Sequence, residues 1–125
     1  MNISRFSKQR LENLFKTEHV SEEYSLPVFN YLVHGFEPGS FWKSVFANDF
    51  FDAMRSSHPS NQIVHLKYAT RWIYYYAPDV AVGSYEKVDN WLKLSEDERR
   101  TILEECELIY TSKADTWLAL TEVEQ

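Results

Sequence analysis

Cysteine, glycine and proline are scarce in this chain of 125 residues, which contains one, three and four of them respectively. A single cysteine, Cys106, excludes an internal disulfide and any metal cage built from cysteines. Few glycines and prolines argue against an all-β design, because such a design needs many tight turns. Aromatic residues, in contrast, make up a high 16% of the chain. The length predicts one domain with a substantial core.

Long apolar runs and an excess of basic residues are also missing. No run approaches the length that crosses a bilayer, and residues 1–8 lack the hydrophobic region of a signal peptide, which together predict a soluble cytoplasmic protein. The chain has 13 Lys and Arg against 19 Asp and Glu, and residues 84–125 hold eleven of the acidic residues against five basic ones. This balance argues against direct nucleic-acid binding. The acidic third favours either a basic protein partner or a solvated surface without one.

Helical periodicity and capping residues predict five or six helices. Ser95 and Glu98 form the clearest start signal, a capping box in which each side chain satisfies a backbone N–H of the other residue. Gly35 is predicted to end the second helix in the left-handed conformation, and Pro27 to stand in the first turn of that helix. The tail is expected to fray from about residue 112. The predicted helices cover about residues 4–17, 27–34, 38–54, 60–77, 84–92 and 95–110.

The helix predicted over residues 60–77 is apolar on two sides. Its end, residues 72–76, has strand propensity, but the 3.6-residue pattern that begins near residue 61 runs through it and predicts a helix. A helix that is apolar on two sides is typically the central one of a bundle. We therefore predict an all-α fold, a single domain over residues 1–125 packed around this helix. One side consists of Ile63, Leu66, Thr70, Ile73 and Ala77, and the other of Val64, Tyr68, Trp72 and Tyr75.

Asp49 and Asp52 are the best candidates for chemistry, with Asn48 beside them. Carboxylates three residues apart on a helix can share a cation, which raises the hypothesis of a small metal-dependent or nucleotide-handling enzyme. Such a pair next to large apolar residues is more typical of a polar helix edge. The alternative to catalysis is therefore that these three side chains are structural.

Histidine and cysteine provide no recognisable site. His19, His34, His58 and His65 show no ligand spacing such as H-E-x-x-H. Cys106 lies on the apolar stripe of its helix with acidic neighbours, which predicts a small hydrophobic residue and not a reactive thiolate. We accordingly predict no catalytic residue, no metal site and no cofactor.

The surplus of aromatic residues indicates a protein interface. Trp42 and Phe51 fall off the apolar stripe of their helix, and the three consecutive tyrosines at 74–76 cannot all face the core. Surface Tyr and Trp are common anchors of protein interfaces. The predicted partner-binding residues are Trp42, Phe51, Tyr74 and Tyr76, with Glu104, Glu105 and Glu107 as an acidic rim.

A pattern of glycine, proline and polar residues runs through about residues 28–92. It consists of Gly35-x-x-Pro38-Gly39-x-Phe41, Val45-x-x-Asn48-Asp49, Ala53, Asn61, Pro78 and Gly83-Ser84. On this pattern the chain resembles small uncharacterised accessory proteins of tailed bacteriophages. The resemblance implies a phage gene product acting in the bacterial cytoplasm, where such proteins bind and disable host machinery, including CRISPR and other immune systems.

Three functions are consistent with the sequence. The leading hypothesis is a non-enzymatic phage accessory protein that binds and inhibits or redirects a bacterial host protein, such as an anti-CRISPR or other anti-defence inhibitor. The second is the enzyme that would use Asp49 and Asp52. The third is an acidic DNA mimic, whose inhibition would fade steeply with added salt.

Overall fold

The computed structural model describes residues 1–123, and every regular element in that range is a helix. This confirms the all-α class, while the eight described α-helices exceed the predicted five or six. No helix of this range is both long and apolar enough to cross a membrane. Residues 124–125, where fraying was expected, lie outside the described part. The helices are α1 (Arg5–Thr17), α2 (Glu22–Phe29) extended by a π-helical segment (Asn30–His34), α3 (Ser40–Phe46), α4 (Phe50–Ser56), α5 (Ile63–Tyr76), α6 (Tyr85–Lys93), α7 (Glu96–Glu105) and α8 (Ser112–Val123).

Serine side chains begin several of the helices. Ser4 and Ser84 accept hydrogen bonds from the N–H groups three residues on, which starts α1 and α6. Ser95 and Glu98 form both bonds of the predicted capping box at the start of α7. Each cap satisfies a donor that the first helical turn leaves unpaired. These starts are therefore local properties of the sequence, and the predictions for them are confirmed.

The second helix begins earlier than predicted. It starts at Glu22, with two glutamates in its first turn, and carries Pro27 inside it. Acidic residues near a helix N-terminus are stabilised by the helix dipole. The two glutamates therefore favour a helix start before the one that the proline predicted. The predicted end is confirmed, since Gly35 has φ +64° and Phe36 N–H donates to the Asn30 carbonyl over 3.2 Å. Gly35 is thus the left-handed residue that follows the helix, and the N–H after it pairs with a carbonyl of the last turn.

The helix predicted over residues 38–54 is interrupted. Asn48 has φ +60°, a conformation that ends α3, and the Asp49 side chain accepts from the Asp52 N–H to cap α4. Asparagine tolerates the left-handed conformation better than most residues, and aspartate is a strong N-cap. The Asn-Asp pair is therefore a helix stop followed by a helix start, and the prediction of one continuous helix is wrong.

The core is centred on the π-helical segment. The Tyr31 ring stacks on Phe46 with ring centroids 4.2 Å apart, and its hydroxyl donates to the Ala81 carbonyl over 2.6 Å. Trp91 Nε1 donates to the Tyr31 carbonyl over 3.1 Å. Because Tyr31 and its neighbours at 32–33 are all buried, the middle of this segment is covered, while Asn30 and His34 at its ends are half-buried. Its polar atoms are paired inside the protein, as burial requires.

Helix α5 covers the core with one side only. Ala69, Trp72 and Ile73 are buried, while Ile63 and Tyr74 on the opposite side are largely exposed. The helical prediction for residues 72–76 is confirmed. The prediction that this helix is central is wrong, because the side of the helix that carries Ile63 and Tyr74 is open to solvent.

The tail forms helix α8, which runs from Ser112 to Val123. Asp115 on this helix is buried and accepts hydrogen bonds from the Ser4 backbone and side chain and from the Ser7 hydroxyl, the last over 2.9 Å. A carboxylate placed at the N-terminus of α1 is also favoured by the dipole of that helix. This contact attaches the end of the described chain to its beginning.

Candidate functional site

The most exposed large apolar side chains lie on α4 and α5. The exposed fractions are 86% for Phe51, 80% for Tyr74, 75% for Ile63 and 68% for Phe50. Single exposed apolar residues are ordinary, but several on neighbouring elements indicate an interaction site. We call this surface the α4–α5 face and define it by Phe50, Phe51, Met54, Ile63, Lys67, Arg71, Tyr74 and Tyr75.

A groove between α4 and α5 shows that the exposed residues are neighbours. Its volume is about 260 Å³, and Phe50 and Met54 line it from α4 while Leu66 and Thr70 line it from α5. Ile63 lies one turn before Leu66, and Tyr74 lies one turn after Thr70. Residues three or four apart share a side of a helix. The groove is therefore flanked by apolar residues along the length of α5.

Paired rings extend the face away from the groove. Phe51 meets Phe50 edge to face with centroids 5.9 Å apart, and Tyr74 meets Tyr75 in the same way at 5.2 Å. Edge-to-face pairs stabilise the orientation of both rings. Phe51 and Tyr74, both named as partner-binding residues from the sequence, thus each belong to an edge-to-face pair, one on α4 and one on α5.

Trp42 lies elsewhere, at the junction of α2 and α3. It is half-buried, packs against Phe46 and Tyr24, and lines a separate groove of about 520 Å³ with Pro38 and Tyr31. Much of its ring therefore serves the core. The structure does not bring Trp42 to the α4–α5 face.

Tyr76 and Glu107 line a third groove, of about 450 Å³, together with Cys106 and Arg10. The Tyr76 hydroxyl donates to Glu18 over 3.0 Å, and this hydrogen bond raises the pKa of Tyr76 above its ordinary value. Its half-buried side chain therefore joins α5 to the end of α1. Tyr76 is thus separated in role from the exposed Tyr74.

The predicted acidic rim is only partly available to a partner. Glu104 is half-buried, accepts from the Ser112 hydroxyl over 2.8 Å and pairs with Arg100 at 3.6 Å. Glu105 and Glu107 are exposed, and the Glu107 carbonyl accepts from Arg10. Two free carboxylates interspersed with arginines do not reproduce the regular anion spacing of DNA. This arrangement supplies no specific support for a DNA mimic.

Asp49 and Asp52 hold the α3–α4 junction together. Asp49 caps α4 and accepts from the Tyr85 hydroxyl over 2.7 Å, while Asp52 accepts from Ser44 and pairs with Arg55. The hydrogen bond from Ser44, followed by that from Arg55, holds the pKa of Asp52 below its ordinary value. Both carboxylates are thus engaged within the protein. Across residues 1–123 no group of three or more His, Cys, Asp or Glu is placed to hold a metal ion.

Cys106 is exposed, contrary to its predicted place on the apolar stripe of α7. It stands at the C-cap, where the chain leaves the helix before Glu107 adopts φ +61°. Partial burial, with Glu105 and Asp79 nearby, raises the pKa of its thiol. The thiol form is therefore favoured, which is the opposite of what a cysteine nucleophile needs.

The four histidines are dispersed among different contacts. His65 stacks on Tyr24, His58 bonds Ser60 within its turn, and His19 packs near Tyr68. Burial, then the N-terminal amine and Arg99, lower the pKa of His34. No two of them are placed as an acid–base pair in these contacts.

The partner-binding residues predicted from the sequence did not include Phe50, Met54 and Ile63 of this face. The signal that could have found two of them is the Asn48-Asp49 pair, since a helix break there places Phe50 and Met54 on a separate helix, α4. The α4–α5 face offers apolar contact and aromatic edges, the chemistry of an interface. No family model, no curated protein and no solved structure matches the chain.

Proposed function

We propose that this protein is a non-enzymatic accessory protein, of the kind encoded by tailed phages, that binds a bacterial protein and inhibits or redirects it. An anti-CRISPR or other anti-defence inhibitor is the specific role proposed. Its site of contact is the α4–α5 face, and its place of action is the bacterial cytoplasm.

The exposed aromatic surface on α4 and α5 carries this proposal. Four large side chains of this surface are exposed to water: Phe50, Phe51, Ile63 and Tyr74. Full burial of one such side chain is favourable by roughly 1.5–3 kcal/mol. A partner that covers them recovers part of that free energy on binding. Because the rings are already paired, little side-chain freedom remains to be lost when the complex forms.

The other candidate sites support binding over catalysis. Asp49 and Asp52 are engaged in helix capping and ion pairing, and the Cys106 thiol has a raised pKa. The phage-like pattern over residues 28–92 includes α3, α4 and α5, so it spans the proposed contact surface.

A comparative pull-down tests the proposal. Tagged wild-type protein and the double variant Phe51→Ser/Tyr74→Ser are incubated with bacterial host lysate, and the retained proteins are quantified by mass spectrometry. We expect the wild type to retain a host protein in stoichiometric amount and the variant to retain at least roughly tenfold less, because two central aromatic anchors are removed.

A matched control distinguishes specific binding by this face from non-specific hydrophobic binding. Trp117→Ser/Leu120→Ser removes two other exposed apolar side chains from α8 and should retain the host protein as the wild type does. Both variants should melt at the wild-type temperature, since exposed side chains contribute little to stability. Absence of any stoichiometric host protein, or equal capture by the Phe51/Tyr74 variant, would overturn the proposal.

A further inference from the structure

The α4–α5 face has an unusual charge for this protein. Residues 53–78 contain no Asp or Glu, although the whole chain has a net charge of −6. The basic residues of this stretch are Arg55, Lys67 and Arg71. The basic side chains of the face therefore lie on α5, while the carboxylates of Asp49 and Asp52 at the start of α4 are engaged with Tyr85, Ser44 and Arg55.

Lys67 and Arg71 are the cations available to a partner. Arg55 is paired with Asp52, whereas Lys67 and Arg71 are exposed and form no ion pair within residues 1–123. Lys67 lies one turn after Ile63 and two turns before Tyr74, on the outward side of α5. The Arg71 guanidinium lies 5.9 Å from the centre of the Tyr75 ring, so its charge is held beside the aromatic residues.

We propose that the α4–α5 face binds an acidic amphipathic segment of the partner protein. Apolar side chains of that segment enter the groove between α4 and α5, and its carboxylates pair with Lys67 and Arg71. This inference rests on the proposed function and adds the chemistry of the partner. Charge complementarity at the rim of an apolar contact sets specificity and association rate.

The lining of the groove favours a protein partner over nucleic acid. The groove is lined by the aliphatic side chains of Val45, Ala53, Met54 and Leu66, beside the polar Ser44, Asn48, Asp49 and Thr70. The aliphatic part matches apolar side chains of a peptide, whereas nucleic acid is held mainly through its phosphates and sugars.

The same charges argue against a symmetric dimer through this face. A two-fold interface places the same patch of both copies together. The Lys67 and Arg71 side chains of both copies would then be brought into one contact. Like charges opposed in an interface are unfavourable, so the occupant is a different, acidic segment.

Selection from a yeast-displayed library of random peptides tests the inference. The target proteins are the wild type, the charge-reversed variant Lys67→Glu/Arg71→Glu, and the control Lys8→Glu/Lys16→Glu, which makes the same charge change on α1. We expect wild type and control to enrich peptides with an excess of Asp and Glu, and the charge-reversed variant to enrich Lys and Arg. A selected acidic peptide should bind the charge-reversed variant at least roughly tenfold more weakly.

Several results would overturn the inference. These are enriched peptides without acidic excess, no enriched peptide, or binding unchanged by the charge reversal. A fluorescent 20-nucleotide oligo-dT that binds wild type but not the reversed variant would reassign the face to single-stranded nucleic acid. Self-association in sedimentation that the reversal abolishes would reassign it to a second copy.

The pull-down separates this inference from the proposed function. If the charge-reversed variant still captures the host protein while Phe51→Ser/Tyr74→Ser does not, the face is the contact site but its partner is not acidic. If neither wild type nor variant captures a protein, the proposed function itself fails.

Discussion

Replacing Gly35 by alanine should destabilise the protein for two separate reasons. Gly35 has φ +64°, and an alanine in this left-handed conformation costs about 1 kcal/mol. The new Cβ would also lie 2.7 Å from Cζ and Nη1 of Arg99, well inside contact distance. Arg99 cannot move away cheaply, because it is only 6% exposed and donates to the carbonyls of Leu94 and His34. Displacing the guanidinium would break these hydrogen bonds and cost a further ~1–3 kcal/mol.

The sum predicts that the free energy of unfolding falls by about 2–4 kcal/mol, which lowers Tm by roughly 10 °C in a domain of this size. Urea denaturation followed by circular dichroism measures the first quantity, and a thermal scan measures the second. Gly39→Ala is the matched control, since Gly39 has φ −66° and a Cβ there meets no atom within 4 Å. The control should stay within about 0.5 kcal/mol of wild type.

A double-mutant cycle separates the two causes. Arg99→Met removes the guanidinium, so in that background Gly35→Ala should lose only the conformational cost of about 1 kcal/mol. The two substitutions should therefore be less destabilising together than the sum of their separate effects. Gly35→Ala with wild-type stability, or strictly additive effects in the cycle, would refute the close packing of Gly35 on Arg99.

Two further predictions concern the helix break and a histidine. Asn48→Ala should lower the free energy of unfolding by about 1 kcal/mol, and Asn48→Gly should not, because φ is +60° at this position; equal effects in urea denaturation would contradict the left-handed stop. The pKa of His34 is lowered on folding from an ordinary value of 6.5, so the unfolded state binds more protons and stability should decrease as pH falls below about 6.5 through the folded pKa. His34→Gln should reduce this decrease between pH 7 and pH 5, and an unchanged pH profile would show that His34 does not cause it.

Helix ends that depend on nearby residues were predictable from the sequence. Ser4, Ser84 and the Ser95-Glu98 pair each satisfy backbone groups within three residues, and Gly35 closes its helix over a similarly short span. The Asn48-Asp49 break is equally local, but the apolar stripe that runs across it favoured one continuous helix. Here backbone preference outweighed periodicity, since an asparagine in the left-handed region followed by an N-cap ends one helix and begins another.

The candidate site was only partly predictable, because the burial of its residues depends on contacts that are distant in the sequence. Phe51 and Tyr74 depart from the apolar stripes of their helices, and their strong exposure agrees with that departure. Trp42 and Tyr76 have the same residue chemistry, yet each is half-buried, the first by Tyr24 and Phe46 and the second by its bond to Glu18. The spacing of residues within one helix cannot predict contacts with residues that are distant in the sequence.

The sequence by itself therefore determined that this protein is helical and where most of its helices begin and end, because caps and periodicity act over one or two turns. Only the tertiary structure decided which apolar sides are covered. Burial depends on neighbours brought together from across the chain, as when Trp91 pairs with Tyr31. An apolar residue such as Ile63 looks the same in sequence whether a neighbouring helix covers it or solvent does. The α4–α5 face exists because no described helix covers that side of α5, which leaves its aromatic and basic residues exposed.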